Sequence, residues 1–259
     1  MGIITNMSNE VYHATAGISS SAVKSVYKKS LAHWKGEKRN PNNPAFAMGT
    51  AVHALLLEEH LTDLVVKGPK TKASAAFKAM KEEMVGDQVL LTEVEYNVAQ
   101  RIAKGALNNP VCKDALRHAD RENEVSIFAS DPISGLMLKT RPDLMIRSEQ
   151  TVYDVKTTLD ASPRGFGQLE CFKWGYHIQA AFYVYVCQLA DLDIQEFSFI
   201  ACEKSSPYIS HLHVVGPELM EKATEQMHRT LGLIAEGNAK EEFGTGWGDF
   251  SILDCPKWL

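Results

Sequence analysis

The run Thr151-Val152-Tyr153-Asp154-Val155-Lys156-Thr157 has the composition of a β-strand and carries an acid and an amine two positions apart. The two-residue period of a strand sends Asp154 and Lys156 to one face and Tyr153 and Val155 to the other. Taken alone, that is also the pattern of an ordinary ion pair on a strand surface. Pro142-Asp143, eleven residues before Asp154, adds a second carboxylate, and the polar Ser148-Glu149-Gln150 between them is a turn signal that folds the two strands together. Both aspartates then meet at one end of a hairpin. Carboxylates held close repel each other, and a cation between them keeps both ionised at neutral pH. Oxygen ligands of this hardness suit Mg²⁺ or Mn²⁺. Such an ion polarises a phosphodiester and lowers the pKa of a bound water, while the lysine positions the water, helps deprotonate it, or stabilises the transition state.

Elements on both sides must hold this hairpin in place. Ser19-Ser20-Ser21 offers N-cap hydroxyls for an amphipathic helix running on through Trp34, which Arg39-Asn40-Pro41 breaks. A second helix is expected from about Phe46 to His60, with Gly49, His53 and Leu56 or Leu57 along one face. Thr92 and Glu95 have the spacing of a capping box, opening a helix that Asn108-Asn109-Pro110 ends. From Glu122 the texture becomes strand-like: EVSIFAS, a turn at Asp131–Gly135, LMLKTRPDLMIR as one strand, then TVYDVKT, an antiparallel meander. A long aromatic-rich helix from about Gly167 to Leu189, the strands EFSFIACE and HLHVV, and a helix from Pro217 to about Glu236 follow. The expected class is α/β (α+β): a mixed central sheet flanked by helices. The expected organisation is one domain over 1–259, with a mainly helical part over 1–120 that carries His53 and a catalytic sheet over 121–259.

At 45% hydrophobic content the chain is too apolar for general disorder, and its formal net charge of −5 argues against nucleic-acid binding by bulk electrostatics. Positive charge is instead concentrated locally. Residues 20–39 hold Lys24, Lys28, Lys29, Lys35, Lys38 and Arg39 against the single acid Glu37, and residues 67–81 hold five lysines and no acid. These read either as solvated helix faces or as phosphate contacts. No run of about 18 apolar residues offers a membrane span and the N-terminus lacks a signal-peptide pattern, so a soluble cytoplasmic protein is expected. The cysteines at 112, 171, 187, 202 and 255 lack the paired spacing of zinc or iron–sulfur sites and are read as reduced thiols.

With these residues in view, the chain resembles the PD-(D/E)xK nuclease superfamily, the motif standing as Pro142-Asp143, ten intervening residues, then Asp154-Val155-Lys156. Three further segments lie in matching order. Gly49-Thr50-Ala51-Val52-His53 followed by LLLEE resembles the helix of RecB-type nucleases on which a histidine adds a metal ligand. Gln179-Ala180-Ala181-Phe182-Tyr183 is similar to their QxxxY motif, with Gln179 and Tyr183 on one helical face. Ile18-Ser19-Ser20-Ser21 through Ala32-His33-Trp34, together with Pro256-Lys257-Trp258, resembles the exodeoxyribonuclease VIII (RecE) nuclease domain and its phage relatives.

The resemblance implies a restriction-endonuclease-like core with an N-terminal helical elaboration. It also implies 5′ to 3′ exonuclease activity on the ends of linear double-stranded DNA, which leaves a 3′ single strand for an annealing recombinase of the RecT type. It further implies a ring-like homo-oligomer and Mg²⁺, with Mn²⁺ able to substitute. Carried over residue by residue, His53, Asp143, Asp154 and the Val155 carbonyl are metal ligands and Lys156 is the catalytic lysine. Gln179, Tyr183 and Glu124 join the catalytic set, and Arg141, Lys24 and Lys28 contact DNA. Each has a plainer reading: His53 as a core histidine, Gln179 and Tyr183 as helix packing, Glu124 as a solvated strand end, Arg141 as an ion pair with Glu124. Two rival functions stand beside the exonuclease: an endonuclease on the same scaffold, and a degenerate nuclease fold that only binds DNA.

Overall fold

The computed structural model of the chain describes residues 2–37, 44–58, 64–86 and 88–249. In chain order its strands are β1 (Gly2–Ile4), β2 (Val65–Lys67), β3 (Val89–Leu91), β4 (Arg121–Asn123), β5 (Ser126–Ser130), β6 (Met137–Thr140), β7 (Leu144–Ile146), β8 (Thr151–Thr158), β9 (Glu196–Glu203) and β10 (Ser210–Val214). A mixed five-stranded sheet, ordered β10-β9-β8-β7-β4, forms the centre. Within it β8 and β9 are parallel and the other neighbours antiparallel. A parallel pair needs a crossover, and the chain between β8 and β9 supplies it as helix. A smaller antiparallel sheet, β1-β5-β6, and the parallel pair β2-β3 complete the strands among the described residues.

Five longer helices flank the central sheet: α1 (Ser20–Lys28), α2 (Pro44–Leu57), α3 (Glu93–Asn108), α4 (Tyr176–Leu189) and α5 (Pro217–Lys240). Val152, Phe197, Phe199 and Ala201 pack with the apolar residues of α1, α4 and α5. Tyr153, Val155, Ile200 and Cys202 pack with those of α2 and α3. The alternation expected of β8 is therefore present, and the strand is covered on both faces.

Several boundaries differ from expectation, each for a local reason. LMLKTRPDLMIR is two strands in two sheets, because Pro142 has no N–H to continue a ladder and the chain changes sheet across Arg141-Pro142-Asp143. The first helix stops at Lys28, and Ser30 then caps a separate short helix, Leu31–Gly36, by accepting from the His33 backbone N–H at 3.2 Å. The helix expected over 167–189 is also interrupted. A wide π-type coil over Pro163–Glu170 and a turn at Cys171–Lys173 precede Gly175, whose φ of +66° starts α4 afresh. Asn108 does end α3, but Asn109 caps a further helix, Pro110–Leu116, with Pro110 at its first position. The Thr92–Glu95 capping box is present in full. Several expectations lie outside the described residues: the Arg39-Asn40-Pro41 break, the end of the second helix at His60, Cys255 and the Pro256-Lys257-Trp258 ending. Among the described residues no helix is long and apolar enough to cross a membrane.

Gly105 on α3 faces the β9–β10 connection so closely that a Cβ there would fall 2.0 Å from the Tyr208 carbonyl oxygen. Replacing a mid-helix glycine by alanine ordinarily stabilises by up to about 1 kcal/mol. Here backbone must move, and Gly105→Ala is expected to cost about 2–3 kcal/mol, a fall of roughly 5–10 °C in Tm. Gly232→Ala on α5, where a Cβ meets nothing within 4 Å, serves as the control and should not lower it.

Candidate active site

The seam between the two sheets is where the polar groups gather. Leu144 pairs with Tyr153, so the next step of the same register sets Asp143 level with Asp154. Asp143 Oδ2 accepts the Val155 backbone N–H at 2.6 Å, which ties the carboxylate to the strand it faces. From the opposite side α2 brings His53, whose Nε2 donates to the Val155 carbonyl oxygen at 2.7 Å and stands 3.5 Å from Asp143 Oδ2. One imidazole nitrogen, one carboxylate oxygen and one backbone carbonyl thus converge from three separate elements.

Asp154 is 1% exposed and held through both oxygens. Its Oδ1 accepts from the Gln179 side-chain amide on α4, and its Oδ2 is in ion contact with Lys156. The Lys156 ammonium lies 5.2 Å from the centre of the Tyr176 ring. Burial alone pulls this ammonium's pKa down, but the attraction of Asp154 and Asp143 outweighs it and the net shift is upward. Lys156 is therefore held as a cation.

Tyr183, one turn beyond Gln179, hydrogen-bonds to Ser20, and burial followed by the nearby charges of Asp154 and Asp143 keeps its phenol protonated far above the usual range. It borders a cleft of about 470 Å³ together with Glu124, Arg141, Asp143, Tyr12 and the serines at the start of α1. Glu124 sits at φ +50°, with its N–H donating to the Asp143 carbonyl at 3.2 Å and its carboxylate 3.8 Å from Arg141. A left-handed glutamate beside the seam is local strain held by its surroundings.

The sequence-predicted residues do not all face one place. His53, Asp143, Asp154, the Val155 carbonyl, Lys156 and Gln179 come together, with Tyr183 and Glu124 on the rim of the cleft. Arg141 has other partners. It donates to Ser126 Oγ, Asn9 Oδ1 and the Met7 carbonyl at 2.7–2.9 Å, and its guanidinium lies 4.3 Å from the centre of the Tyr12 ring, so it fastens the N-terminal segment to the small sheet. Lys28 is exposed and lies over the Trp174 ring at 5.1 Å. Lys24 turns inward and donates to Gln179 Oε1 at 2.7 Å. Two residues passed over in the sequence also matter here: Tyr176, whose ring centre lies 5.3 Å from the Lys24 ammonium and 5.2 Å from that of Lys156, and Lys139, which donates to the Tyr12, His13 and Thr15 carbonyls and shapes the cleft wall. Neither carries a motif, though Tyr176 stands three residues before Gln179 on the same helical face.

The donor set suits a hard divalent cation: imidazole, two carboxylates and a carbonyl oxygen at one strand end. Among the described residues no three His, Cys, Asp or Glu side chains already form a closed cluster, since Asp154 is turned to Lys156 and Gln179. Burial first, then repulsion from Asp154, pushes the Asp143 carboxyl from 3.8 up to about 7, against the pull of His53, Lys156 and the Val155 N–H. A carboxyl raised on folding binds its proton more tightly in the folded state, so its contribution to stability is complete below the ordinary value and declines as pH rises from about 4 through about 7. Asp143→Asn removes the charge and keeps an acceptor for Val155. In chelator at pH 8 this variant should melt about 2–4 °C above the wild-type protein, the gap shrinking toward pH 4. A lower Tm at pH 8 would contradict this electrostatic reading.

Residues 19–248 match the family described as a PDDEXK-like domain of unknown function (DUF3799). A candidate exonuclease from Eubacterium rectale has the same fold. Its crystal structure superposes with a TM-score of 0.63 at 15% identity, over 98% of this chain and 96% of that one. A phage-related exonuclease from Haemophilus somnus matches more weakly, with a TM-score of 0.33 at 13% identity over 84% of this chain and 95% of that one. No curated protein matches the chain in sequence. The match over most of its length, with the paired aspartates and lysine at the strand end, places the chain in the PDDEXK-like DUF3799 family.

Proposed function

We propose that the protein is a divalent-metal-dependent DNA nuclease that degrades linear duplexes from their ends. The observation that carries this reading is the convergence of His53, Asp143 and the Val155 carbonyl across 102 residues of sequence, beside the Asp154–Lys156 pair. His53, Asp143, Asp154 and the Val155 carbonyl would hold Mg²⁺ or Mn²⁺. Bound there, the ion supplies positive charge to polarise a phosphodiester and acidify a water.

The chain's own groups divide the remaining work. Lys156, kept cationic by the two aspartates, stabilises negative charge growing on the phosphate. Gln179 fixes one oxygen of Asp154. Tyr183 and Glu124 border the cleft where a DNA end would enter, and Lys28 offers positive charge at the outer end of α1. A 5′ to 3′ direction, a 3′ single-stranded product passed to an annealing recombinase, and a ring-like homo-oligomer acting in the cytoplasm complete the proposal. They are supported by the motif order that resembles exodeoxyribonuclease VIII, and the exonuclease name of the Eubacterium rectale structure bears on end-directed digestion alone. Residues 1–259 are proposed to act as one unit, because both apolar layers are built on the same central sheet.

Digestion of linear duplexes labelled separately at their 5′ and 3′ ends, in Mg²⁺, Mn²⁺ or chelator, tests the reading. Loss of the 5′ label is expected with metal and none with chelator. Equal cutting of closed circular DNA would make the protein an endonuclease. Asp154→Ala and Lys156→Ala should each lower the rate about 100-fold or more, and undiminished digestion by either would remove that residue from the mechanism.

A second measurement needs no substrate. Mg²⁺ or Mn²⁺ should raise the wild-type Tm, because a ligand that binds only the folded state stabilises it. The same addition should leave Asp143→Asn unchanged, and an equal rise in that variant would place the ion elsewhere.

A further inference from the structure

Gln179 spans two groups of opposite character. Its Oε1 is 2.7 Å from the Lys24 ammonium, and its Nε2 meets Asp154 Oδ1. The Lys24 amino group donates to Oε1, and a carboxylate can only accept, so the amide between them has one orientation that satisfies both ends. Reversing it would set the amide oxygen against the Asp154 carboxylate and leave the amide NH₂ facing the Lys24 amino group. Without Lys24, the Oε1 end loses its donor and the amide is held at its Asp154 end alone.

Nothing about Lys24 suits a phosphate contact on the surface. Its side chain runs inward from α1, packs across Gly175, where a Cβ would lie 3.4 Å from Lys24 Cγ, and ends 5.3 Å from the centre of the Tyr176 ring. Lys156 lies 5.2 Å from the same ring. Burial, then the charge of Lys156, brings Lys24 down from 10.5 to about 7, against the pull of Asp154. Such a shift at one residue is typical of functional sites.

We propose that Lys24 is a positioning residue for hydrolysis: it sets the Gln179 amide so that Asp154 presents one fixed carboxylate, with the other oxygen left to Lys156. The kinetic side of this inference rests on the nuclease reading above; the geometric side does not. It predicts that Lys24 acts through Gln179 alone.

The test compares wild type with Lys24→Met, Lys24→Arg, Gln179→Ala and the double variant Lys24→Met/Gln179→Ala, each checked for folding by its melting curve. Lys24→Met should lower kcat on linear duplex about tenfold with KM within about twofold, the split expected of a group that acts on the reacting centre. Lys24→Arg should recover most of that loss. The double variant should be no slower than Gln179→Ala, because two residues in one relay are not additive. A raised KM at unchanged kcat, or losses that multiply, would overturn the proposal in favour of a DNA contact.

A spectrum decides independently of activity. In ¹⁵N-glutamine-labelled protein, the side-chain signals missing from Gln179→Ala identify that amide. They should shift and lose exchange protection in Lys24→Met and be retained in Lys24→Arg. If Lys24→Met does not fold, Lys24→Gln takes its place in both measurements. Unchanged amide signals without the ammonium overturn the proposal. A wild-type protein that cuts no DNA retires the nuclease reading while the amide signal still decides the role of Lys24.

Discussion

Backbone pairing of β7 with β8 brings Asp143 level with Asp154 in a place where water is scarce, and the rest of the site is organised around that repulsion. The hairpin alone would push the two carboxylates apart or leave one protonated. Each neighbour answers part of the problem: Lys156 and Gln179 occupy the oxygens of Asp154, while His53 and the Val155 N–H attend to Asp143. These groups come from strand, helix and backbone on both faces of the sheet. The surrounding layers must be rigid enough to hold them, and β8, buried on both sides, provides that rigidity.

The part of this that can be read in the sequence is the part governed by short periods. Strand alternation places Asp154 and Lys156 together, a polar turn predicts the hairpin, and a four-residue helical spacing aligns Gln179 with Tyr183. What depends on long-range packing is not legible. Lys24 and Lys28 share a helix face by the same spacing rule, yet one ends inside the site and the other over Trp174, a distinction made by where α4 lies. Arg141 looks like a phosphate ligand beside the motif. It is claimed instead by Asn9 and Met7, more than 130 residues earlier.

The irregular backbone also escapes simple patterning, and it sits beside the candidate site. Pro142 ends one ladder and redirects the chain into another sheet, so the residue after it reaches the seam and not a continuous strand face. Gly175 interrupts what reads as one long helix, which lets Tyr176 begin α4 beside both lysines. A run of apolar and aromatic residues carries a strong helical signal. A single left-handed residue within it decides where the polar ones point.

The reach of His53 to Val155 across 102 positions, and of Lys24 to Gln179 across 155, has a consequence for the order of synthesis. As the chain leaves the ribosome, α1 and α2 emerge with their histidine and lysine long before the strand and helix that receive them. Contacts so distant form late, after loop closure has been overcome. A nascent chain that has just completed Lys156 already contains both aspartates, but the Gln179 amide that holds Asp154 Oδ1 has yet to be made. The arrangement around Asp154 is therefore complete only after α4 has been made.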